Sequence, residues 1–380
     1  MKRVSVIVPT FNRVGYLKES LDSLLAQTRQ PDEIWVIDDG SSDDTESVAK
    51  SFGERVNFFR KPENSGKAAS LNMGLELISG DIVWIMDDDD IALPCCLETL
   101  LSLLDQTPDA GFAYGRHMRF SLSADGEQQE LGTGYWQPCD PDSFLLQTLE
   151  DFFPHQPGMI VRKSLFNEVG PFDVTLRRSQ DYEMLIRLAR AAPCVGTDDI
   201  VFLQRQHDGK RGASNDRFSA AERDAKWMEH DQQIFRKLRS EIALGEYLPR
   251  GWTAEDDAGT RRALLQRGVI FARKKLWTEA LEDFVAAATR GPARIGDDEL
   301  TILRRTFSSK YGCDEITEDL SIQSRLKDLK SIKPAGAVIA NAIVLGMRWR
   351  IREALQSGDT SKAFSFTRKA LSVRCANLLP

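Results

Sequence analysis

The sequence predicts an α/β domain built on a mostly parallel sheet, followed by an all-α C-terminal domain. In the first ninety residues, short apolar segments rich in β-branched side chains alternate with segments of helical spacing, as buried parallel strands and their covering helices do. From about residue 218 the strand patterns stop, and charged amphipathic helices continue to the end. A chain of 380 residues also exceeds the usual size of one domain. We therefore expect an α/β domain at 1–218, a helical linker at 219–250 and an α-helical domain at 251–380.

The first domain begins with a regular alternation of strands and helices. Strands are predicted at 4–8, 33–38, 56–60 and 81–86, and helices at 15–27, 43–52 and 66–78. In the first helix, Leu17, Leu21 and Leu24 recur every three or four residues and mark one buried face. A series of this kind forms a parallel sheet with helices on both faces. Residues 95–218 keep the mixed pattern but have longer loops, including 123–141.

The helical domain contains a pattern that resembles the tetratricopeptide repeat. Between residues 264 and 292, the consensus positions hold Gly268, Phe271, Ala280, Phe284, Ala287 and Pro292. Arg267 departs from the leucine expected before Gly268, and a weaker echo follows at 358–370. Two hairpins are fewer than a stable solenoid needs, so a generic helical bundle is an equal alternative. Either form predicts a docking module for a protein partner.

Composition and charge exclude several classes of protein. A net charge of −7 without a basic stripe excludes a nucleic-acid binder. The six cysteines form no CxxC pair, which argues against a zinc site or a disulfide framework. No secretory leader pattern precedes the first strand, and the apolar run 335–347 is too short to span a bilayer. We expect a cytoplasmic protein, with a peripheral contact at the inner face of the membrane left open.

The strongest candidate site is a run of four aspartates, Asp87–Asp90, at the end of the fourth predicted strand. Asp87 with Asp89, or Asp89 with Asp90, supplies hard oxygen ligands for a divalent cation. Four neighbouring carboxylates repel one another, so a cation should compensate them. The alternative is a helix N-cap, which explains one aspartate and leaves three unexplained. We therefore favour a metal site.

Two further acidic segments carry candidate residues. Asp39 ends the second strand, and ligands of open α/β sheets bind beyond the carboxyl ends of strands. Its carboxylate can accept the imide N–H of uracil or thymine, whereas cytosine has no such donor. The local alternative is a turn at Gly40 with a helix cap at Ser42 or Asp43. Asp181 opens an amphipathic helix, and on its own it is explained by the helix dipole.

The phosphate-binding motifs are incomplete. Gly66-Lys67 resembles the end of a phosphate loop but lacks the first glycine and the following Ser or Thr, and no GxGxxG follows the first strand. Arg205, His207 and Arg211 gather phosphate-seeking groups after a late strand.

In this order and spacing, the segments resemble the family 2 glycosyltransferases, which have the GT-A fold. The resemblance covers about residues 1–215 and is carried by residues 4–13, 37–41, 64–74, 86–90, 169–173, 180–181 and 205–207. It implies a Rossmann-like, mostly parallel GT-A domain that binds a nucleotide sugar.

The resemblance also implies roles for individual residues. Pro9, Thr10 and Asp39 match positions that hold the nucleotide base and ribose. Asp87 and Asp89 match the DxD motif, with Asp89 as the metal ligand and Asp87 nearer the ribose or the metal.

Asp181 matches the aspartate that acts as the general base. The family usually has Glu-Asp at this point, whereas this chain has Gln180 before the base. The helix N-terminus favours the ionised form of Asp181, and uncharged Gln180 adds no repulsion that would raise its pKa. Many members carry an arginine where this chain has Leu71, and Lys67 supplies the cation instead.

The remaining assignments concern the second half of the domain. His207 is assigned as a metal ligand with Asp89, and Arg205, Arg211 and Trp136 are assigned to the diphosphate or the acceptor. Trp136 is equally well explained as a core or loop anchor.

The sequence therefore predicts an inverting glycosyltransferase that uses Mn²⁺ or Mg²⁺. The donor is a nucleotide diphosphate sugar, with UDP favoured, and the acceptor is a hydroxyl of a glycan, a lipid-linked glycan or a protein. One carboxylate base without a second, nucleophilic carboxylate favours inversion. The alternative is a non-catalytic scaffold with a degenerate transferase domain and a helical docking tail. A sugar nucleotidyltransferase would need a glycine-rich loop with an arginine between residues 8 and 15, which this chain lacks.

Overall fold

In this computed structural model, which describes residues 2–123, 125–206 and 223–373, nine strands form one mixed sheet. The strands are β1 (Val4–Thr10), β2 (Glu33–Asp38), β3 (Asn57–Arg60), β4 (Ile82–Ile85), β5 (Ile91–Ala92), β6 (Phe112–Leu122), β7 (Gln128–Thr133), β8 (Met159–Arg162) and β9 (Cys194–Arg205). Their order is β3-β2-β1-β4-β8-β6-β9-β5, and β7 pairs with β6. The pairs among β1 to β4 and the pair β6–β9 are parallel, whereas β5, β7 and β8 join antiparallel.

Helices cover both faces of this sheet. They are α1 (Val14–Leu25), α2 (Thr45–Ser51), α3 (Lys67–Leu77), α4 (Cys96–Gln106), α5 (Phe144–Glu150), α6 (Lys163–Val169) and α7 (Gln180–Ala191). Side chains alternate across a strand, so Val4, Val6 and Val8 pack in one core with the leucines of α1 and α4. Ile7 packs in the other core with Leu71 of α3 and residues of α6 and α7.

The strand ends place the acidic segments on one edge. In the parallel register, Thr10 of β1 lies beside Asp38 of β2, and Ile7 lies beside Ile85 of β4. The segments that follow β1, β2 and β4 therefore leave the sheet together. Gly74 of α3 lets the helix approach β1, because a Cβ there would lie 2.5 Å from the Ile7 side chain.

The chain divides into two units, one comprising Met1–Thr148 with Phe152–Ala220 and the other comprising Leu149–Asp151 with Ala221–Pro380. The second unit is helical, which confirms the predicted all-α C-terminal part. Its helices are α8 (Arg223–Glu241), α9 (Asp257–Arg273), α10 (Trp277–Ala288), α11 (Asp297–Arg304), α12 (Glu315–Glu318), α13 (Leu320–Leu329), α14 (Gly336–Leu345), α15 (Met347–Gln356) and α16 (Thr360–Val373).

Helices α9 and α10 form the hairpin that carries the proposed repeat residues. Gly268 allows close contact between them, because a Cβ at this position would lie 2.6 Å from the ring of Phe284. The ring of Phe271, also in α9, lies 6.1 Å from the ring of Phe235 in α8. Helix α8 therefore belongs to the packing of the second unit.

Among the described residues, no helix combines the length and the apolar character needed to cross a membrane. The apolar run near residue 340 forms α14, whose Ile339 and Ile343 are fully buried.

Candidate active site

The loops after β1 and β2 are joined by hydrogen bonds at the carboxyl edge of the sheet. The N–H of Asn12 donates to the Ser41 hydroxyl over 2.8 Å, and the N–H of Ser42 donates to the side-chain oxygen of Asn12 over 2.8 Å. The Ser41 hydroxyl donates to the buried carboxylate of Asp38. These contacts hold the candidate residues of both loops in place.

Asp39 is buried at the end of β2, with 4% of its surface exposed. Its carboxylate accepts from Nζ of Lys61 at 2.5 Å and from the N–H groups of Ser65 and Gly66 at 2.9 and 2.8 Å. Gly66 has φ of 91°, a conformation that favours glycine. Asp39 therefore orders the segment that leads into α3. A carboxylate has about four acceptor positions, so one further donor can still bind.

The aspartate run brings three carboxylates together. Asp87, Asp89 and Asp90 each offer an oxygen atom, and these atoms lie within 4.8 Å of one another. The helix-cap interpretation of the run is wrong. Helix α4 begins at Cys96, its N-cap residue is Cys95, and no side chain caps it. Asp90 instead accepts from the backbone N–H of Arg205 over 2.9 Å. Three converging carboxylates are a donor set that fits a hard divalent cation.

Two cations compensate the run, as the sequence predicts. Nη1 of Arg13 lies 3.1 Å from Asp88 Oδ1 and 2.6 Å from Asp89 Oδ2. Nζ of Lys67, the first residue of α3, lies 2.5 Å from Asp87 Oδ1. Burial would lower the pKa values of Arg13 and Lys67, but the neighbouring carboxylates outweigh it and raise both.

This arrangement also affects the protonation of Asp88. Burial, helped by the charges of Asp89 and Asp87, raises its pKa to about 6, although Arg13 and the Thr10 hydroxyl act in the opposite direction. Asp88 is therefore harder to ionise than an ordinary aspartate, and Arg13 keeps the rise in its pKa smaller than it would otherwise be.

The backbone of the run is held from two sides. The Ser20 hydroxyl of α1 donates to the Asp87 carbonyl over 3.1 Å, and Nε of Arg205 donates to the Asp89 carbonyl over 2.9 Å. Arg205 is 2% exposed and also pairs with Glu19 of α1 at 2.7 Å. The structure thus buries this guanidinium against the backbone of the acidic run. The sequence instead predicts that it contacts the diphosphate or the acceptor.

Asp181 lies in the first turn of α7 and is part of the same electrostatic cluster. Burial and the charge of Asp87 raise its pKa, while Lys67 lowers it, and the net shift is upward. The expectation of an unraised pKa is therefore wrong. Uncharged Gln180 adds no repulsion, but Asp87 does, and it is brought close by the fold.

The start of α7 is held by the segment before it. The side chain of Asn72 in α3 accepts from the Phe172 N–H over 2.8 Å and donates to the Phe172 carbonyl over 2.9 Å. Arg187 of α7 donates to the carbonyls of Val169 and Pro171 and pairs with Glu183 at 2.7 Å. Asn72 and Arg187 therefore fix the position from which Asp181 projects.

The other predicted site residues lie at different distances from this cluster. Pro9 and Thr10 are buried at the end of β1, and the Thr10 carbonyl accepts from the Asp39 N–H over 2.9 Å. Trp136 donates to Asp198 over 2.7 Å, and its ring lies 5.3 Å from that of Phe153. His207 and Arg211 lie outside the described residues.

Sequence reasoning did not single out Arg13, Lys61, Asn72 and Arg187 as partners of the site. One signal was available for Arg13, because the charge of the run requires a cation and Arg13 is the cation of the short segment between β1 and α1. Lys61 and Asn72 have no local pattern, since each bonds to a residue distant in sequence. Arg187 does have one, because Glu183 lies four residues before it on the same helix.

Comparison with known proteins finds a family model and relatives that are similar to this part of the chain. Residues 5–170 match the family model described as "Glycosyl transferase family 2". An uncharacterized glycosyltransferase of Rickettsia felis is 31% identical over 225 residues, which cover 56% of this chain and 36% of that protein. The glycosyltransferase GlyG of Streptococcus pneumoniae is 27% identical over 263 residues, covering 63% of this chain and 81% of that protein. The chain thus spans about a third of the length of the Rickettsia felis relative.

A solved structure shows the same fold. The structure of S. aureus TarS 1–349 in complex with UDP-GlcNAc superposes with a TM-score of 0.50 at 17% sequence identity. The match covers 99% of this chain and 93% of that one. The mixed sheet with its covering helices is therefore a GT-A fold.

Proposed function

We propose that the protein transfers a sugar from a UDP-sugar to an acceptor hydroxyl with inversion of configuration, because residues 5–170 match the model of glycosyl transferase family 2. The acceptor is a glycan, a lipid-linked glycan or a protein. The observation that carries this proposal is the meeting of two acidic segments around one cation. Lys67 bonds to Asp87 and also interacts with Asp181, although about a hundred residues separate the two acids.

Asp87, Asp89 and Asp90 would hold Mn²⁺ or Mg²⁺. Their oxygen atoms converge within 4.8 Å, and carboxylate oxygen is the ligand that such cations prefer. The cation would supply charge neutralisation for the diphosphate as it leaves. Lys67, whose side chain is 30% exposed beside these acids, would add a second positive charge for the same phosphate groups.

Asp39 would recognise the base of the donor. Lys61 and two backbone N–H groups already orient its carboxylate, and a fixed acceptor selects an imide N–H over the cytosine edge. Pro9 and Thr10 lie beside it at the end of β1 and would border the nucleotide. The TarS structure of similar fold contains UDP-GlcNAc, which agrees with a uridine donor. We expect UDP to bind more tightly than CDP in calorimetric titrations.

Asp181 would act as the general base. It would accept the proton of the acceptor hydroxyl while that oxygen attacks the anomeric carbon from the face opposite the diphosphate. Its raised pKa strengthens it as a base, and Lys67 keeps the ionised form accessible. A single carboxylate base with direct attack inverts the configuration.

The test is the substitution Asp181→Asn in the full chain. The variant keeps the shape of the side chain and cannot accept a proton, so sugar transfer should fall about 10²–10⁴-fold. UDP and Mn²⁺ binding should persist, because neither uses this side chain in the proposal. Asp297→Asn is the matched control, since Asp297 also begins a helix but lies exposed in the second unit; it should transfer normally.

Two outcomes would contradict the proposal. Normal transfer by Asp181→Asn would make Asp181 a structural residue of the helix start. Absence of transfer and of donor hydrolysis by the wild-type chain, tested with a panel of nucleotide sugars and Mn²⁺, would favour the scaffold alternative.

A further inference from the structure

We propose that Arg13 is a resident counter-ion of the acidic run, which a divalent cation must displace from Asp89 in order to bind. The inference rests on the metal site of the proposed function and extends it to a residue outside the carboxylate set. It makes Arg13 a positioning residue that sets the affinity of the site for metal.

The first observation is that one guanidinium nitrogen serves two carboxylates. Nη1 of Arg13 bonds to Asp88 and, over 2.6 Å, to the Asp89 oxygen Oδ2. The side chains of Asp88 and Asp89 are only 7% and 9% exposed. At this depth, water screens the charges weakly. A dication at Asp89 would therefore meet the full repulsion of the guanidinium unless Arg13 moves.

The second observation is that the four carboxylates of the run have different partners. Asp87, Asp89 and Asp90 form the converging oxygen cluster, and Asp88 bonds to Arg13. Asp89 alone belongs to both arrangements, so it is the carboxylate for which Arg13 and the metal compete. Asp88 is the partner that retains Arg13 when Asp89 is released. The displacement therefore requires a small movement of one side chain and leaves the guanidinium paired.

The third observation is the balance of charge. Arg13 and Lys67 contact three of the four carboxylates of the run, and Asp181 adds a further negative charge beside Lys67. These two cations alone therefore do not neutralise the cluster. Without metal, Arg13 lowers the repulsion within the run. With metal, its charge is no longer needed at Asp89. Arg13 thus stabilises the metal-free protein and weakens metal binding at the same time.

The experiment is a titration of the full chain with Mn²⁺ in the absence of nucleotide, followed by the electron paramagnetic resonance signal of free Mn²⁺. Arg13→Gln and Arg13→Met remove the charge, and Arg13→Lys keeps it. Arg29→Gln is the matched control, because Arg29 pairs with Asp32 before β2 and does not contact the acidic run. Melting curves in EDTA check that each variant is folded.

We expect both uncharged variants to bind Mn²⁺ about tenfold or more tightly than the wild type. Arg13→Lys and Arg29→Gln should stay within about threefold of it. The uncharged variants should also melt at a lower temperature in EDTA and gain more from added Mn²⁺ than the wild type gains.

The outcomes separate this inference from the proposed function. Folded uncharged variants that bind Mn²⁺ no more tightly than the wild type would overturn the role of Arg13 and leave the metal site standing. A tighter Arg13→Lys would also overturn it, because the charge is retained. If neither the wild type nor any variant binds Mn²⁺, the metal site itself is wrong and the inference fails with it.

Discussion

Buried and half-buried carboxylates in the first unit are paired with donors that come from distant parts of the chain. Lys61 forms an ion pair with Asp39, Arg13 with Asp88, and Lys67 with Asp87. The sequence predicted the acids and the need for a compensating cation, because both follow from residue type and position. It could not predict which cation meets which acid, since that depends on how β1, β2 and α3 pack. The same limitation explains the wrong expectation for the pKa of Asp181.

Glu33 at the start of β2 offers a prediction at this scale. It accepts hydrogen bonds from the Ser5 hydroxyl at 2.5 Å and from the Ser79 N–H at 2.6 Å. Burial would raise its pKa, but these bonds and one from Trp35 outweigh it and lower the pKa to about 2. A carboxylate whose pKa is lowered by folding stabilises the folded state when the pH is above the ordinary pKa of 4.5. This stabilisation is lost as the pH falls toward 2.

We therefore expect Glu33→Gln to melt about 2–4 °C below the wild type at neutral pH, the shift that about 1 kcal/mol produces in a domain of this size. The difference should shrink steadily as the pH falls below 4.5. Calorimetry over a pH series measures it, with the exposed Glu76→Gln as control. A difference that grows on acidification would contradict the assignment.

At the scale of elements, the regular strand–helix alternation was predictable and the antiparallel additions were not. Parallel strands β1 to β4 and helices α1 to α3 follow the predicted segments to within two residues at each end. Short apolar strands rich in β-branched residues alternate regularly with the helical segments, and this alternation is a strong sequence pattern. Strand β7 lies inside the predicted loop 123–141. Apart from Leu131 and Gly132 its residues are polar, and all but Thr133 are exposed, so only pairing with β6 makes it a strand.

The contact between α3 and the segment before α7 gives a prediction for elements. Asn72→Ala removes both hydrogen bonds to the Phe172 backbone, so the start of α7 and Asp181 should lose their fixed position. Transfer should fall about 10–100-fold, as expected for a base that is misplaced by a fraction of an ångström to one ångström. UDP binding should remain.

The control for this variant is Asn57→Ala, which removes one hydrogen bond to the Ile34 carbonyl at the opposite end of the strands and should leave transfer unchanged. Loss of UDP binding by Asn72→Ala would instead make Asn72 a donor ligand.

At the scale of the molecule, the change from mixed to helical pattern predicted a helical C-terminal part, and helices α8 to α16 form one. The hydrophobic period could not show that residues 149–151 group with the second unit, because such long-range grouping leaves no local pattern. The docking role of the helical unit and its tetratricopeptide-like hairpin remain predictions.

The stability of the helical unit depends on a buried ion pair. Arg261 of α9 binds Glu299 of α11 through two nitrogens, at 2.7 and 2.9 Å, and both side chains are about 5% exposed. Arg261→Ala leaves Glu299 without its buried cation, a loss that costs about 3–5 kcal/mol. The transition of the helical unit should fall by about 10 °C.

Calorimetry of the full chain checks this prediction, with UDP and Mn²⁺ added to identify the transition of the sheet unit. Arg262→Ala is the neighbouring control, because Arg262 pairs with a half-exposed Asp298 and should cost less than about 1 kcal/mol. A single transition that shifts as a whole would show that the two units unfold together.

The anchoring of the acidic run by its carbonyl groups has a consequence for how this site can evolve. Ser20 and Arg205 hold Asp87 and Asp89 through backbone oxygen atoms, which every amino acid possesses. Mutations that replace either carboxylate therefore leave the acceptors of these two hydrogen bonds in place. The side chains at these two positions can vary between descendants of this gene while the two backbone hydrogen bonds that hold the loop are inherited.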